Sequence, residues 1–216
     1  MTISASMVRE LREKTNAGMM DCKKALEENS GDFERAIDWL RKKGLSSAAK
    51  KAGRVAAEGV VESYIHGEGR IGVLLEVNCE TDFVARTEGF RDFVKNIALH
   101  VAATAPLSVS SEEVPSDLIE RERNVLTEKA REQGKKEEMI SKIVDGQIKK
   151  WLSENCLLEQ AYVKNPDLKV GDYLKETIAK TGENIVVRRF VRFELGEGIE
   201  KKQEDFAAEV AAQIKG

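Results

Sequence analysis

The stretch VVESYIHGEGRIGVLLEVN, residues 60–78, decides the architecture. β-Branched, aromatic and aliphatic residues crowd both sides of Gly67-Glu68-Gly69-Arg70. Two such runs joined by a short glycine-rich link read as a β-hairpin, with strands over 60–66 and 71–78. The same letters hold G-x-G-x-x-G at Gly67, Gly69 and Gly72. That motif binds a dinucleotide only where a strand leads in and a helix leads out, its N-terminus facing the pyrophosphate. Here a second strand leads out, so no helix N-terminus faces the glycines and no nucleotide binding is expected through them. A third strand is expected over 185–195, where Ile185 to Leu195 alternate with arginines pointing outward. It is too distant to pair with the hairpin except through long-range packing. The remaining elements read as helices, which makes the fold class α+β rather than doubly wound.

Upstream, three short helices are expected. The first turns Val8 and Leu11 inward, and the second spaces Met19, Cys22 and Leu26 three to four apart. The third is capped by Asp32, buries Phe33, Ala36, Ile37 and Leu40, and is expected to close at Arg41-Lys42-Lys43-Gly44. Residues 44–59, small and basic without a strong apolar stripe, read as a partly helical linker. Residues 1–54 carry twelve Lys and Arg against eight Asp and Glu. That mild basic excess suits either a solvated face or steering toward an acidic partner surface.

Downstream, residues 90–103 form an amphipathic helix with Phe90, Phe93, Val94, Ile97, Ala98 and Val101 toward the core. Ser116 and Asp117 are expected to cap a charged helix over 118–133 whose face is marked by Leu118, Glu122, Val125 and Lys129. A second helix over 136–154 carries Ile140, Ile143, Val144, Ile148, Trp151 and Leu152, and the two read as an antiparallel helical hairpin. Another helix spans 170–180, and a last one, with Phe206, Val210 and Ile214 on one side, spans 206–214. The expected organisation is a three-helix domain plus basic linker (1–54), an α+β core with the hairpin at about 117–154 (55–198), and a C-terminal helical module (199–216).

Composition narrows the function. A 216-residue chain with 34% charged residues and a formal net charge of -3 lacks the basic excess of a general phosphate-backbone binder, so no direct nucleic-acid partner is expected. Aromatics are 6%, and no strand alternates them with basic residues as an RNA-stacking platform would. No signal-like start and no membrane-length apolar run is visible, and Cys22, Cys79 and Cys156 lie far apart and odd in number. Together these suit free thiols in a reducing, cytoplasmic setting with no membrane partner. Neither His66 nor His100 neighbours a nucleophile motif, and each is read as structural or surface. With no zinc, calcium or phosphate-loop spacing, no catalytic residue, metal or cofactor is expected.

One segment resists this bland picture. Asn78-Cys79-Glu80-Thr81-Asp82-Phe83-Val84-Ala85-Arg86-Thr87-Glu88 joins a strand to a helix, yet sets an acid beside a phenyl ring with Val84 and Ala85 behind them. Two readings stay open. Thr81-Asp82 can be an N-cap with Phe83 tucked into the local core. Alternatively, Phe83 is an exposed wedge on a stiff strand–helix junction, built to enter a partner's groove.

Asn78 to Ala85, the block Thr15-Asn16-Ala17-Gly18-Met19-Met20-Asp21-Cys22-Lys23-Lys24-Ala25-Leu26, and the tail from Arg192 to Lys201 and Asp205 to Ala211 together resemble the elongation factor Ts family. The three blocks stand in the family's order across essentially the whole chain. The resemblance implies a ubiquitin-associated-like three-helix domain, an α/β core and a C-terminal helix. It implies a guanine-nucleotide exchange factor for elongation factor Tu, engaging its GDP-bound and nucleotide-free states. The family's intruding pair maps to Asp82 and Phe83, within Thr81 to Val84, and is thought to displace the partner's magnesium. Met19, Met20 and Lys23, with the helix containing Phe206 and Val210, would touch the same partner domain. Longer members duplicate half of the core, which this chain does not. A homodimer through the core is therefore expected, with the 117–154 hairpin and the Val187 to Phe193 strand as candidate pairing surfaces. A scaffold or adaptor that binds a ubiquitin-like or RNA-bound partner without exchange remains the alternative from another class.

Overall fold

The structure, a computed structural model, describes residues 3–15 and 17–199. Helices α1 (Ala5–Thr15), α2 (Met19–Glu28) and α3 (Phe33–Lys51) come first. Strands β1 (Glu58–His66) and β2 (Ile71–Cys79) follow, then α4 (Asp82–Ala85) and α5 (Glu88–Thr104). Helices α6 (Ser116–Glu132) and α7 (Glu137–Asn155) precede β3 (Ala161–Tyr162), β4 (Asn165–Lys169), α8 (Val170–Thr181) and β5 (Ile185–Glu194). This is an α+β fold, as the change of hydrophobic period predicts. Among the described residues no helix is long and apolar enough to cross a membrane.

The sheet is antiparallel in the order β1-β2-β5. Gly67, Glu68 and Gly69 all take positive φ, the left-handed backbone that glycine tolerates best, and Arg70 N–H donates to the His66 carbonyl at 3.1 Å. Gly67 and Gly69 are therefore the tip of a hairpin, and Gly72 lies within β2, paired with Ile65. The alternate residues Val73, Leu75 and Val77 face α5, whose Phe90, Phe93, Val94 and Ile97 are fully buried against them. Each such side chain contributes roughly 1.5–3 kcal/mol through burial. The small β3–β4 ribbon, too short to show a period, was not expected from the sequence.

The outward alternation expected of β5 fails halfway. The β2–β5 register shifts between Glu76 and Val77, so that both Arg188 and Arg189 reach the Glu76 carboxylate, each at 2.7 Å. Such a bulge puts two successive residues against one and flips the phase of the strand beyond it. Ile185 and Val187 point inward before the bulge; after it Phe190 and Arg192 do, and Arg192 donates to the Ala102 carbonyl.

Three hydrophobic clusters are separate. One joins Val8, Leu11, Cys22, Ala25, Leu26 and Ala36 of α1–α3, the second is the sheet and α5, and the third fills the α6–α7 hairpin. Asp32 caps α3 by accepting from Arg35 N–H at 3.0 Å, but the helix does not close at Gly44. It runs on to Lys51 because this half packs on α8: a Cβ on Gly44 would lie 3.2 Å from the Ala179 Cβ, and Arg41 pairs with Glu176. Ile37, expected inside, is on the exposed side of α3. The inner face of α6 is Ile119, Leu126 and Ala130 rather than the stripe through Leu118 and Val125; Val125 is exposed. Ser116 and Asp117 lie within the first turn of α6, where neither side chain caps it; Pro115 holds the cap position.

Candidate functional site

The segment between β2 and α5 is a short, strongly held turn. Thr81 is extended and caps α4 by accepting from Val84 N–H at 3.4 Å. Thr87 caps α5 by accepting from Phe90 N–H and donates its own hydroxyl to the Val84 carbonyl at 2.8 Å. Arg91 closes the remaining end of α4 by donating to the Ala85 carbonyl at 2.8 Å. With the Val84 and Ala85 carbonyls at the end of this four-residue helix satisfied in this way, the turn has little freedom to unwind.

The two readings of the sequence each contribute half. Thr81 is the N-cap, and Val84 and Ala85 pack onto the main core. Phe83 is not tucked in; it is 79% exposed, although phenyl rings normally bury. The structure thus presents a bare aromatic ring on a helical turn that is anchored on its opposite face. Asp82 beside it is half-buried and pairs with Arg86 one turn on, at 2.8 Å.

The anchorage extends across the sheet. Glu183, in the turn between α8 and β5, accepts both Glu80 N–H (3.1 Å) and Thr81 N–H (3.0 Å) on Oε2, and the Thr81 hydroxyl (2.6 Å) on Oε1. Glu80 reciprocates by accepting Asn184 N–H at 2.6 Å. Asn184 Nδ2 then donates to the Arg54 carbonyl at 2.8 Å, while the Arg54 guanidinium lies 3.5 Å from Glu80. Beneath the turn, Cys79 donates its thiol to the Thr81 carbonyl and is fully buried; burial first, then the charge of Glu183, pushes its pKa up to about 11. The thiol stays protonated, as an inert structural cysteine does.

Glu183, Arg86, Arg91 and Asn184 were missed by sequence reasoning. Only the odd acid at Glu183 after a helix-ending glycine offered any signal, and nothing local says which backbone it meets.

Among the expected secondary contacts, Met19 and Met20 are exposed on α2, and Lys23 pairs loosely with Glu27 at 3.7 Å. Among the described residues no hydrogen bond or ion pair joins them to the Thr81–Val84 turn, so they form a separate surface. Phe206 and Val210 lie outside the described residues. Among the described residues no group of three His, Cys, Asp or Glu side chains could hold a metal ion. His100 is fully buried: it donates from Nε2 to Gln160 at 2.9 Å and accepts Val163 N–H on Nδ1, a structural link from α5 to the β3 end. Burial holds its pKa below the usual 6.5.

Comparison with known proteins adds an independent line. The family model described as Elongation factor TS matches residues 6–197. The chain is 61% identical over 213 residues to elongation factor Ts of Carboxydothermus hydrogenoformans, covering 99% of this chain and 98% of that protein. It is 61% identical over 214 residues to elongation factor Ts of Alkaliphilus metalliredigens, covering 99% of each. For elongation factor Ts of Desulforamulus reducens the figure is 62% over 213 residues, covering 99% of this chain and 98% of that one.

Proposed function

This chain belongs to the elongation factor Ts family, and from that premise we propose that it is a guanine-nucleotide exchange factor that promotes GDP release from elongation factor Tu. The observation that carries the reading is the exposed Phe83 ring on an anchored turn. No catalytic residue or cofactor is required, and the setting is cytoplasmic. The factor need only bind the nucleotide-free partner more tightly than the GDP-bound one, and reciprocity then weakens GDP by the same factor. Asp82 and Phe83, seated between Thr81 and Val84, enter the partner beside its magnesium and phosphates. The Asp82 carboxylate, released from Arg86, competes there with phosphate and metal ligands.

Magnitudes require more than one anchor. A drop in nucleotide affinity of roughly 10³-fold needs about 4 kcal/mol of coupling. Burying one phenyl ring supplies roughly 1.5–3 kcal/mol. Met19, Met20 and Lys23 on the three-helix domain (1–54), with Phe206 and Val210 of the C-terminal module (199–216), supply the remainder. The core (55–198) carries the wedge and pairs two copies. Its exposed sheet face supports that pairing: Val61, Ile65, Leu74, Val191 and Phe193 lie on one side of three adjacent strands, and Ile65 and Phe193 flank Gly72 in register. A hydrophobic face of this kind on a small chain marks an interaction surface.

The test is multiple turnover. A trace of this chain, added to elongation factor Tu loaded with a fluorescent GDP analogue and chased with excess GDP, should release all of the label. Release limited to one equivalent, or to the uncatalysed rate, overturns the reading.

A further inference from the structure

We infer that Glu183 is a positioning residue for exchange: its carboxylate clamps the base of the wedge so that force on Phe83 reaches the partner instead of bending the turn. This rests on the reading of Asp82–Phe83 as the wedge. Glu183 is distant from the wedge in sequence and makes no hydrogen bond or ion pair with either of its side chains. It meets the wedge only through the Glu80 and Thr81 N–H groups and the Thr81 hydroxyl.

The chemistry explains why a carboxylate stands there. Three donors converge on one side chain, and an ionised carboxylate offers about four lone-pair sites on two oxygens and no competing donor. Hydrogen bonds to a charged acceptor are roughly twice as strong as neutral ones. The two amides belong to the last residues before the turn, where the β2 ladder has ended and where no sheet partner is left to fix the chain. Glu183 takes over from the sheet at the place where the wedge leaves it. A second brace, from Asn184 N–H to Glu80, keeps Glu183 itself in place. A preorganised site loses less on binding than one that must be ordered first, and a small misplacement of a functional group is costly.

The experiment compares Glu183→Ala, Glu183→Gln and Phe83→Ala in full-length chains, with exchange followed against factor concentration on elongation factor Tu carrying a fluorescent GDP analogue. The clamp acts after docking. Glu183→Ala should therefore lower the maximal release rate by about tenfold, with the half-saturating concentration within about twofold of wild type. In the free chain, the Glu80 and Thr81 amides should exchange with deuterium at least about tenfold faster. Glu183→Gln should recover most of the rate, because its carbonyl still accepts the two amides while the Thr81 hydroxyl turns to accept from the side-chain amide. If Glu183→Ala does not fold, Glu183→Asp serves instead: it keeps the charge but cannot reach both amides and the hydroxyl together, and it should lose about threefold in maximal rate. A maximal rate unchanged in the folded Glu183 variants, while Phe83→Ala slows release, overturns the clamp alone. If Phe83→Ala also leaves release unchanged, the wedge reading falls and the clamp falls with it.

Discussion

Gly44 of α3 lies so close to α8 that a Cβ at residue 44 would stand 3.2 Å from the Cβ of Ala179. The three-helix end of the chain is therefore attached to the core by a helix packed flank to flank, with Arg41–Glu176 on one side and Lys51 donating to the Ile178 carbonyl on the other.

Substitution at that contact should be read in stability. Gly44→Ala gains about 1 kcal/mol of helix propensity and needs Ala179 to yield by a few tenths of an ångström, so a nearly neutral outcome is expected. Gly44→Leu overpacks the seam and should cost about 1–3 kcal/mol, with Tm falling by about 2–4 °C per kcal/mol. Amides of α8 should exchange faster in that variant. A Gly44→Leu melt identical to wild type would restore residue 44 to a loose linker.

Residues 44–51 mark a place where sequence reasoning gave out. Glycine after three basic residues is a sound helix stop by local rules, and α8, far along the chain, overrides that stop by packing against it, with Ala179 at Gly44 and Glu176 at Arg41. The α6 stripe failed for a related reason. A helix so charged offers two thin stripes, and the fully packed Ala130 decides between them only once Ile140 and Val144 are opposite. The hairpin strands were legible because β-branched and aliphatic runs on both sides of a glycine turn are a property of the letters themselves; which residues face α5 was not, since Leu74 is as apolar as its neighbours and is exposed. Phe83 was half legible: the cap at Thr81 is local chemistry, but exposure of the ring depends on Glu183, Thr87 and Arg91 holding the turn outward.

His100 gives the fold a pH dependence of known sign. Burial depresses its proton affinity, the bond to Gln160 opposing, so below 6.5 the unfolded chain binds more protons than the folded one. Its contribution is complete above that value and is lost as the pH falls below it. Urea midpoints should fall between about pH 7 and about pH 5.5 in the wild type and change less in His100→Gln. Glu76, held low chiefly by Arg188 and then Arg189, and Glu137, held low by Arg131, lose their contributions only below 4.5, outside that window. A wild-type midpoint that does not move would contradict the buried neutral imidazole.

Pairing through the sheet predicts a change of mass. Phe193 is 68% exposed, so Phe193→Asp should leave a free chain folded, within about 0.5 kcal/mol. In a paired chain the same substitution buries an unpartnered charge at the interface. Sedimentation equilibrium should show two chains for the wild type and one for the variant. A wild type that sediments as one chain removes the dimer.

The wedge itself is tested most directly by stopped-flow release of a fluorescent GDP analogue from elongation factor Tu, at saturating factor, with Phe83→Ala against wild type. Because the ring is exposed and outside the core, the variant should melt with the wild type. Its release rate should be at least about tenfold slower, in line with the burial of one phenyl ring on the partner. A folded Phe83→Ala chain that releases GDP at the wild-type rate would contradict the account.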